Sequence, residues 1–327
     1  MSEGAPVAVD AMGGDDAPDV VVRGALVAFS RGVPVRLVGP RELLAPLVPA
    51  GGPPIVHAPH VIGMGEGAVA AVRRAEDSSV RVALREVREG RAGSVVACGH
   101  TGALVVAAKF DLGWVDGVDR PAIATVLPRG DGGRLVLLDA GANVDCRAEQ
   151  LVTFAALGVA YAEALGVEEP RVGLLSNGEE ESRGNAQVRA ALPLLQATAL
   201  RVVGPIEPTL AMAGGCDVLV TDGFVGNILL KAAEASVHTV VTMLREEVRR
   251  RPSGRLGAFL LKKAFARFRD RVAWDAQGGA MLLGVDGTVV VGHGRATEEA
   301  VCAAIMLAHR TAAAGLVDRV TAHMAAE

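Results

Sequence analysis

The chain has 327 residues, 50% of them hydrophobic and only 3% aromatic, with a net charge of −4. That length allows one large α/β domain or two smaller ones, and a core so poor in aromatics must be built from Val, Leu and Ala, which suits buried parallel strands and their covering helices. The charge gives no whole-protein argument for nucleic acid. No run of about 18 uncharged apolar residues and no secretion signal are evident, and Cys98, Cys146, Cys216 and Cys302 lack the spacing of a disulfide framework or zinc site, as in a reduced, cytoplasmic protein.

The first predicted strand, 7–10, runs into Ala11-Met12-Gly13-Gly14-Asp15-Asp16-Ala17-Pro18. Glycines let the backbone approach a ligand, helix N-termini offer unpaired N–H groups, and Pro18 suits a first helical turn, so this turn is a candidate phosphate seat. A plain turn with a helix cap is the alternative. Asp10 lies at the strand's C-terminal end, where open α/β sheets keep their ligand crevice. A helix over 19–30, a strand over 33–38, a helix over 79–89 and a strand over 94–97 follow. Strands are then predicted at 122–127, 134–139, 171–175, 201–203, 217–221 and 288–291, with helices at 148–165, 186–196 and 298–313. Repeated β-α units of this kind pack most simply as a doubly wound, mostly parallel sheet. Residues 225–272 break the alternation: two long helical patterns meet at Arg250-Arg251-Pro252-Ser253-Gly254, which reads as an inserted helical hairpin.

Four predicted strands end in glycine accompanied by Asp, Asn, Thr or His. Besides the first, these ends are Cys98-Gly99-His100-Thr101, Asp139-Ala140-Gly141-Ala142-Asn143-Val144-Asp145 and Asp222-Gly223-Phe224-Val225-Gly226-Asn227. Singly each reads as a turn with a cap. In a parallel sheet all of them converge on one edge, forming a site with many backbone and side-chain donors. Arg183, beside Gly184 and Asn185 at a helix start, would fork onto a phosphate, or join a solvated ion-pair cluster with its acidic neighbours. Gly278-Gly279 precede the strand that ends at Gly292-His293-Gly294, and a histidine between two glycines is expected to be exposed and functional. No lysine follows a glycine, so there is no Walker A loop. Gly63-Met64-Gly65-Glu66-Gly67 has the wrong spacing for a dinucleotide site, and no nucleophile elbow occurs.

The segments 9–18, 98–104, 138–146, 172–185, 220–231 and 278–284, in that order and spanning nearly the whole chain, resemble the phosphate acyltransferase (PlsX) family of bacterial phospholipid synthesis. The resemblance implies a Rossmann-like three-layer α/β/α sandwich, a single domain over 1–327 with the hairpin inserted, and a homodimer. It implies transfer of a fatty acyl group from acyl carrier protein to inorganic phosphate, with no metal or organic cofactor. The acyl phosphate product would feed a downstream membrane glycerol-3-phosphate acyltransferase. By the same resemblance Lys231 and Arg183 offset the phosphate charge and His293 holds an oxygen or manages a proton. Asn143, Asn185 and Asn227 donate to phosphate or thioester, and Asp10, Asp145 and Asp222 orient these donors. Gly13, Gly14, Asp15, Gly99, His100, Thr101, Gly278 and Gly279 complete the seat. The chain departs from the family's usual residues at His100 (Asn), Ala75-Glu76 (Lys-Lys), 205–209 (Asn-Val-Glu-Gly-Arg) and Arg295-Ala296 (Ser-Ser). Two other readings remain: a specialised or non-catalytic paralogue that binds acyl carrier protein, and a metal-dependent dehydrogenase using Asp139, Asp145 and Asp222.

From Arg245 to Arg271 there are ten basic residues against three acids, a local +7 in a chain of net −4. Leu260, Leu261, Phe265 and Phe268 recur on one helical face, with Lys262, Lys263, Arg267 and Arg269 around the other, the pattern of a helix lying in a bilayer interface. Peripheral membrane contact is therefore expected. Burial in a dimer core and docking of an acidic carrier protein are the alternatives.

Overall fold

A computed structural model describes residues 4–250, 253, 257, 258, 260–265, 268 and 278–326. Its N-terminal part runs β1 (Val7–Asp10), α1 (Asp19–Ser30), β2 (Val35–Gly39), α2 (Arg41–Leu44), β3 (Ile55–His57), α3 (Ala68–Arg74), α4 (Ser79–Arg88), β4 (Ser94–Cys98) and α5 (Thr101–Asp111). The middle continues with β5 (Ala122–Pro128), β6 (Arg134–Leu138), α6 (Ala148–Ala164), β7 (Arg171–Leu175), α7 (Ala186–Gln196), β8 (Arg201–Ile206), α8 (Pro208–Leu210), β9 (Val218–Val220) and α9 (Gly223–Arg250). The chain then returns through β10 (Ala280–Leu283) and β11 (Thr288–Gly292) to α10 (Glu298–Ala313) and α11 (Leu316–Ala326). All the strands and helices expected outside the hairpin are present. The short strands β3 and β10, at three and four residues, are too brief to show a period of two and escape the sequence pattern.

The strands are covered on both faces, which their composition requires. Val7 and Val9 pack into one apolar cluster and Ala8 into another, and β2 and β4 divide their side chains the same way. Helices α1, α6, α7, α10 and α11 cover the first face, and α3, α4 and α5 cover the second over the N-terminal half. Small residues set the closest approaches. A Cβ on Gly24 of α1 would lie 2.6 Å from the Val301 Cβ of α10, and one on Gly158 of α6 would lie 2.5 Å from Val218 Cγ1 of β9.

The eleven strands form one sheet in the order β3-β2-β1-β4-β11-β10-β5-β6-β9-β7-β8. The sheet is mostly parallel, as the β-α alternation predicts, with antiparallel pairings confined to its middle. β10 is antiparallel to both β11 and β5, and β5 is antiparallel to β6, so the β6-β9-β7-β8 half runs opposite to the β1-β4-β11 half. The polar strand ends still meet, because the halves are staggered along β5. Residues 122–124 of β5 pair with β10, and residues 125–128 pair with β6. The C-terminal ends of β4 and β11 therefore stop level with the middle of β5, and the C-terminal end of β6 stops there from the other side.

The first arm of the expected hairpin is α9, a helix of 28 residues. Most of its turn and second arm lie outside the described residues. Within that arm Leu260, Leu261, Phe265 and Phe268 are described, and are 74%, 55%, 37% and 48% exposed. Among the described residues no single helix is long and apolar enough to cross a membrane. The α10–α11 pair reaches the length only with a 54° bend, and much of α10 is core.

Candidate active site

Backbone packed against backbone forms the base of the site. A Cβ on Gly13 would fall 1.7 Å from the Cys98 carbonyl oxygen, and one on Gly292 would fall 2.2 Å from Cys98 Sγ. The β1–α1, β4–α5 and β11–α10 connections can come this close only because glycine carries no side chain. Gly14 and Gly99, at φ +114° and +120°, take conformations that L side chains resist. The Asp15 N–H then donates to the Gly294 carbonyl at 2.7 Å, tying the first and last of these connections together.

Beneath this cradle lies Asp10, 6% exposed, accepting from the Met12 N–H at 3.1 Å. Burial pushes its carboxyl up to about 6, against the pull of hydrogen bonds from Ser79 and Met12. Asp10 supports the cradle from below and does not reach the open cleft. Cys98 shares this setting: burial first, and then the Asp10 charge, push its thiol up to about 12.

The opposite wall is built on Asp139, fully buried just past β6. Its Oδ1 accepts from the N–H groups of Ile123, Gly141 and Ala142, and its Oδ2 accepts from the backbone and side-chain N–H of Asn143. Burial raises its pKa, and these donors oppose the rise. With both oxygens occupied, Asp139 orders the 139–143 loop and has little left to offer a metal. Asn143 also departs from its expected role: it gives its second side-chain N–H to the Pro121 carbonyl at 2.8 Å, leaving nothing to donate to a substrate. The first turn of α9 rests on this loop. The Gly223 N–H donates to the Asn143 carbonyl, and a Cβ on Gly226 would fall 2.0 Å from the Asp139 carbonyl oxygen.

Between the two walls opens a cleft of about 640 Å³. Its lining brings together Asp15, Gly99, Thr101, Gly279 and His293 with Asn227 and Lys231, over the middle of β5 at Ile123 and Thr125. Asn227, Lys231 and Glu234 follow one flank of α9 at helical spacing. Lys231 makes no ion pair among the described residues. His293 accepts the Arg295 N–H at Nδ1, 3.1 Å away, which leaves Nε2 protonated in the neutral ring. Arg295, which the sequence marks only as a departure from the family, also lines the cleft and pairs with Asp15 at 3.5 Å. Its position immediately after His293-Gly294 is the signal that could have placed it there.

Other expected site residues serve different ends. His100 caps α5, accepting from the Ala103 N–H at Nδ1 while Nε2 donates to the Glu66 carbonyl; an Asn, the usual family residue, can cap in the same way. Gly278 packs on the Ala303 carbonyl behind the cleft. Asp145 is exposed and lines neither this cleft nor its neighbour. Arg183 is also absent from both linings; it is an exposed side chain held by Glu180 at 3.1 Å. Asn185 caps α7, and Asp222 caps α9 by accepting the Val225 N–H at 2.8 Å; both line a second cavity on the other flank of α9.

The fold that carries this glycine-lined cleft is shared with solved structures. A phosphotransacetylase from Streptococcus pyogenes superposes with a TM-score of 0.63 at 18% identity, covering 95% of each chain. Residues 5–319 match the family described as "Fatty acid synthesis protein". A phosphate acyltransferase of Thermus thermophilus is 48% identical over 98% of both chains, and one of Geobacter sulfurreducens is 43% identical over 98% of this chain and 94% of its own. The chain belongs to the phosphate acyltransferase family, and it is an acyltransferase.

Proposed function

We propose that this enzyme transfers a fatty acyl group from the thioester of acyl carrier protein to inorganic phosphate, releasing an acyl phosphate for phospholipid synthesis. The observation that carries this reading is the set of donors gathered in the cleft: Lys231, Arg295 and the Nε2–H of His293 share its lining with Gly99 and Thr101, against the two acids Asp15 and Glu234. Thr101 begins α5, and His100 caps only the Ala103 N–H of its first turn, leaving those of Thr101 and Gly102 to favour an anion. Lys231 offsets the phosphate charge, Arg295 adds to it by exchanging its Asp15 partner for phosphate, and Asn227 donates to phosphate or to the thioester oxygen. A phosphate oxygen attacks the carbonyl carbon, the C–O bond forms as the C–S bond breaks, and the departing thiolate takes up the proton that hydrogen phosphate brought, while the Nε2–H of His293 holds an oxygen. Cys98 is the one thiol among the described residues lining the cleft, and burial together with the Asp10 charge disfavours its thiolate, which favours direct transfer to phosphate over an acyl-cysteine.

The test is to incubate the purified protein with hexadecanoyl-acyl carrier protein and phosphate, and to trap acyl phosphate with hydroxylamine. Hydroxamate should form in proportion to phosphate without added nucleotide or metal. A protein that binds the carrier yet forms none is the non-catalytic paralogue.

The same reading has the enzyme work as a cytoplasmic homodimer in peripheral contact with the membrane, beside the glycerol-3-phosphate acyltransferase that consumes its product. Its support is the apolar surface of the hairpin. Val240, Met243 and Leu244 of α9 are exposed, as are Leu260, Leu261, Phe265 and Phe268.

A further inference from the structure

The cleft of about 640 Å³ is larger than one phosphate fills, and part of its lining is apolar. Met64, Ile123, Leu230 and Val291 share it with Asn227, Lys231 and His293. Ile123, Leu230 and Val291 belong to the framework elements β5, α9 and β11. Met64 belongs to a loop, residues 61–67, and is 57% exposed. Val61 and Val69, at the two ends of this loop, are exposed as well, so Met64 is not an isolated apolar side chain on the surface.

The loop joins two of the connections that build the cradle. On one side it lies against the first turn of α5: a Cβ on Gly102 would fall 3.7 Å from the Ala68 Cβ, and His100 Nε2 donates to the Glu66 carbonyl at 3.0 Å. On the other side a Cβ on Gly294, between His293 and Arg295, would lie 3.9 Å from Met64 Cε. Little packing holds the loop, since a Cβ on Gly65 or Gly67 would meet no atom within 4 Å. Discrete bonds hold it instead. Glu66 accepts the Gly63 N–H at 2.9 Å and pairs with Arg74, and its own N–H donates to the Gly63 carbonyl at 3.2 Å. These bonds close the loop on itself and on α3. Among the described residues, the His100 bond is the one hydrogen bond between the loop and α5. An Asn at this position can cap α5 through its carbonyl oxygen, but its amide nitrogen lies one atom nearer the backbone than histidine Nε2 and falls short of the loop.

We propose that Met64 covers the first methylenes of the acyl chain while the acyl carbonyl is held at Asn227 and Lys231, and that His100 is a positioning residue that holds the Met64 loop over the cleft. The ligand rests on the acyl-transfer reading above. An unbranched thioether adapts to a chain of methylenes without fixing its length, so this contact strengthens every long-chain donor and adds nothing to an acetyl donor.

The experiment has an equilibrium and a kinetic part. The probes are carrier protein bearing hexadecanoyl or acetyl through an amide in place of the thioester, which cannot transfer. Their binding is measured by calorimetry for the full-length wild type, Met64→Ala, Met64→Gln, His100→Asn and Met64→Ala/His100→Asn, with circular dichroism as the check on folding. Each Met64 variant should weaken the hexadecanoyl probe by about tenfold and the acetyl probe by less than about twofold. His100→Asn should weaken the hexadecanoyl probe by about threefold and add nothing in the double variant, because it acts through Met64. In turnover the same variants should raise the KM for hexadecanoyl donor and leave the KM for phosphate within about twofold. If both folded Met64 variants keep the wild-type preference for the long chain, the proposal is overturned. A change of oligomeric state without a change in that preference overturns it too, and gives Met64 to a contact between copies. If His100→Asn weakens both probes equally, or adds its full effect to Met64→Ala, the histidine is a cap alone and its positioning role falls. If the probes behave as described but wild type forms no acyl phosphate, the Met64 contact stands and the phosphate-transfer reading falls.

Discussion

Lys231 and Arg183 look alike in the sequence, each a lone cation beside glycine and asparagine, and the fold separates them. Both are exposed, but Lys231 lines the cleft with no ion pair among the described residues, whereas Arg183 lines neither cavity and is tied to Glu180. Lys231→Ala should lower turnover by about 10²-fold, the usual effect of removing one charge from a reacting anion. Arg183→Ala should change it by less than about twofold, since an exposed ion pair contributes little. Hydroxamate trapping on both variants checks the pair, and an Arg183→Ala enzyme as impaired as Lys231→Ala would return that arginine to the phosphate. Histidines divide in the same manner. His293 keeps a ring N–H for the cleft, while both nitrogens of His100 are committed to capping α5 and holding Glu66. Spacing cannot separate these roles, because a Gly-His pair at a strand end suits a cap and a ligand donor equally well.

At the scale of elements, the β6-β9-β7-β8 half-sheet depends on one acid. Asp217, 9% exposed and just before β9, accepts from Arg171 Nε of β7 at 2.9 Å and from Arg129, which follows β5. Burial alone would raise its pKa; the hydrogen bonds from Arg171 and Arg129 outweigh burial and hold it at about 2. Because the folded value lies below the unfolded 3.8, this interaction stabilises the fold above about pH 4, and the contribution is lost as pH falls from there towards 2. The pH-linked part is on the order of 2 kcal/mol. Asp217→Asn should remove that acid-side slope and lower stability at pH 7 by about 2–4 kcal/mol, since two guanidinium groups lose their partner. Urea unfolding at pH 7 and pH 3 measures both effects, and an unchanged pH dependence in Asp217→Asn would rule out the role. The ordering of the elements was legible from their periodicity. The direction of β5 and β10 was not, since alternation marks a strand without recording its sense.

At the scale of the whole molecule, acyl phosphate partitions towards lipid, so an enzyme that releases it gains from lying near a membrane. The local +7 of residues 245–271 and the exposed Leu260, Leu261, Phe265 and Phe268 supply the two requirements, charge and apolar surface. Attraction to an anionic surface is worth roughly 1 kcal/mol per basic residue and weakens with salt. Wild type should co-sediment with phosphatidylglycerol vesicles, and Leu260→Glu/Phe265→Glu should not, with both proteins in the same oligomeric state. Equal pelleting of the two would take the membrane role away from this segment.

Composition, periodicity and the glycine-rich strand ends by themselves determined the α/β class, the position of nine of the eleven strands and of the longer helices α1, α4, α6, α7, α9 and α10, and the set of connections from which the cleft is made. These are local properties: a run of Val and Leu between turns is a strand whatever surrounds it, and a Gly-Gly after it marks a close approach. Which polar residues in those connections face the cleft was decided only by the tertiary structure. Asp139 and Asn143 bond each other and the backbone, Asp145 points to solvent, and Arg295 enters the lining where Arg183 does not. The reason is that a side chain's role depends on which hydrogen-bond partners the fold brings to it. Those partners come from β5, β6 and α9, strand ends and a helix start far apart in the chain that meet only because the two half-sheets are staggered along β5.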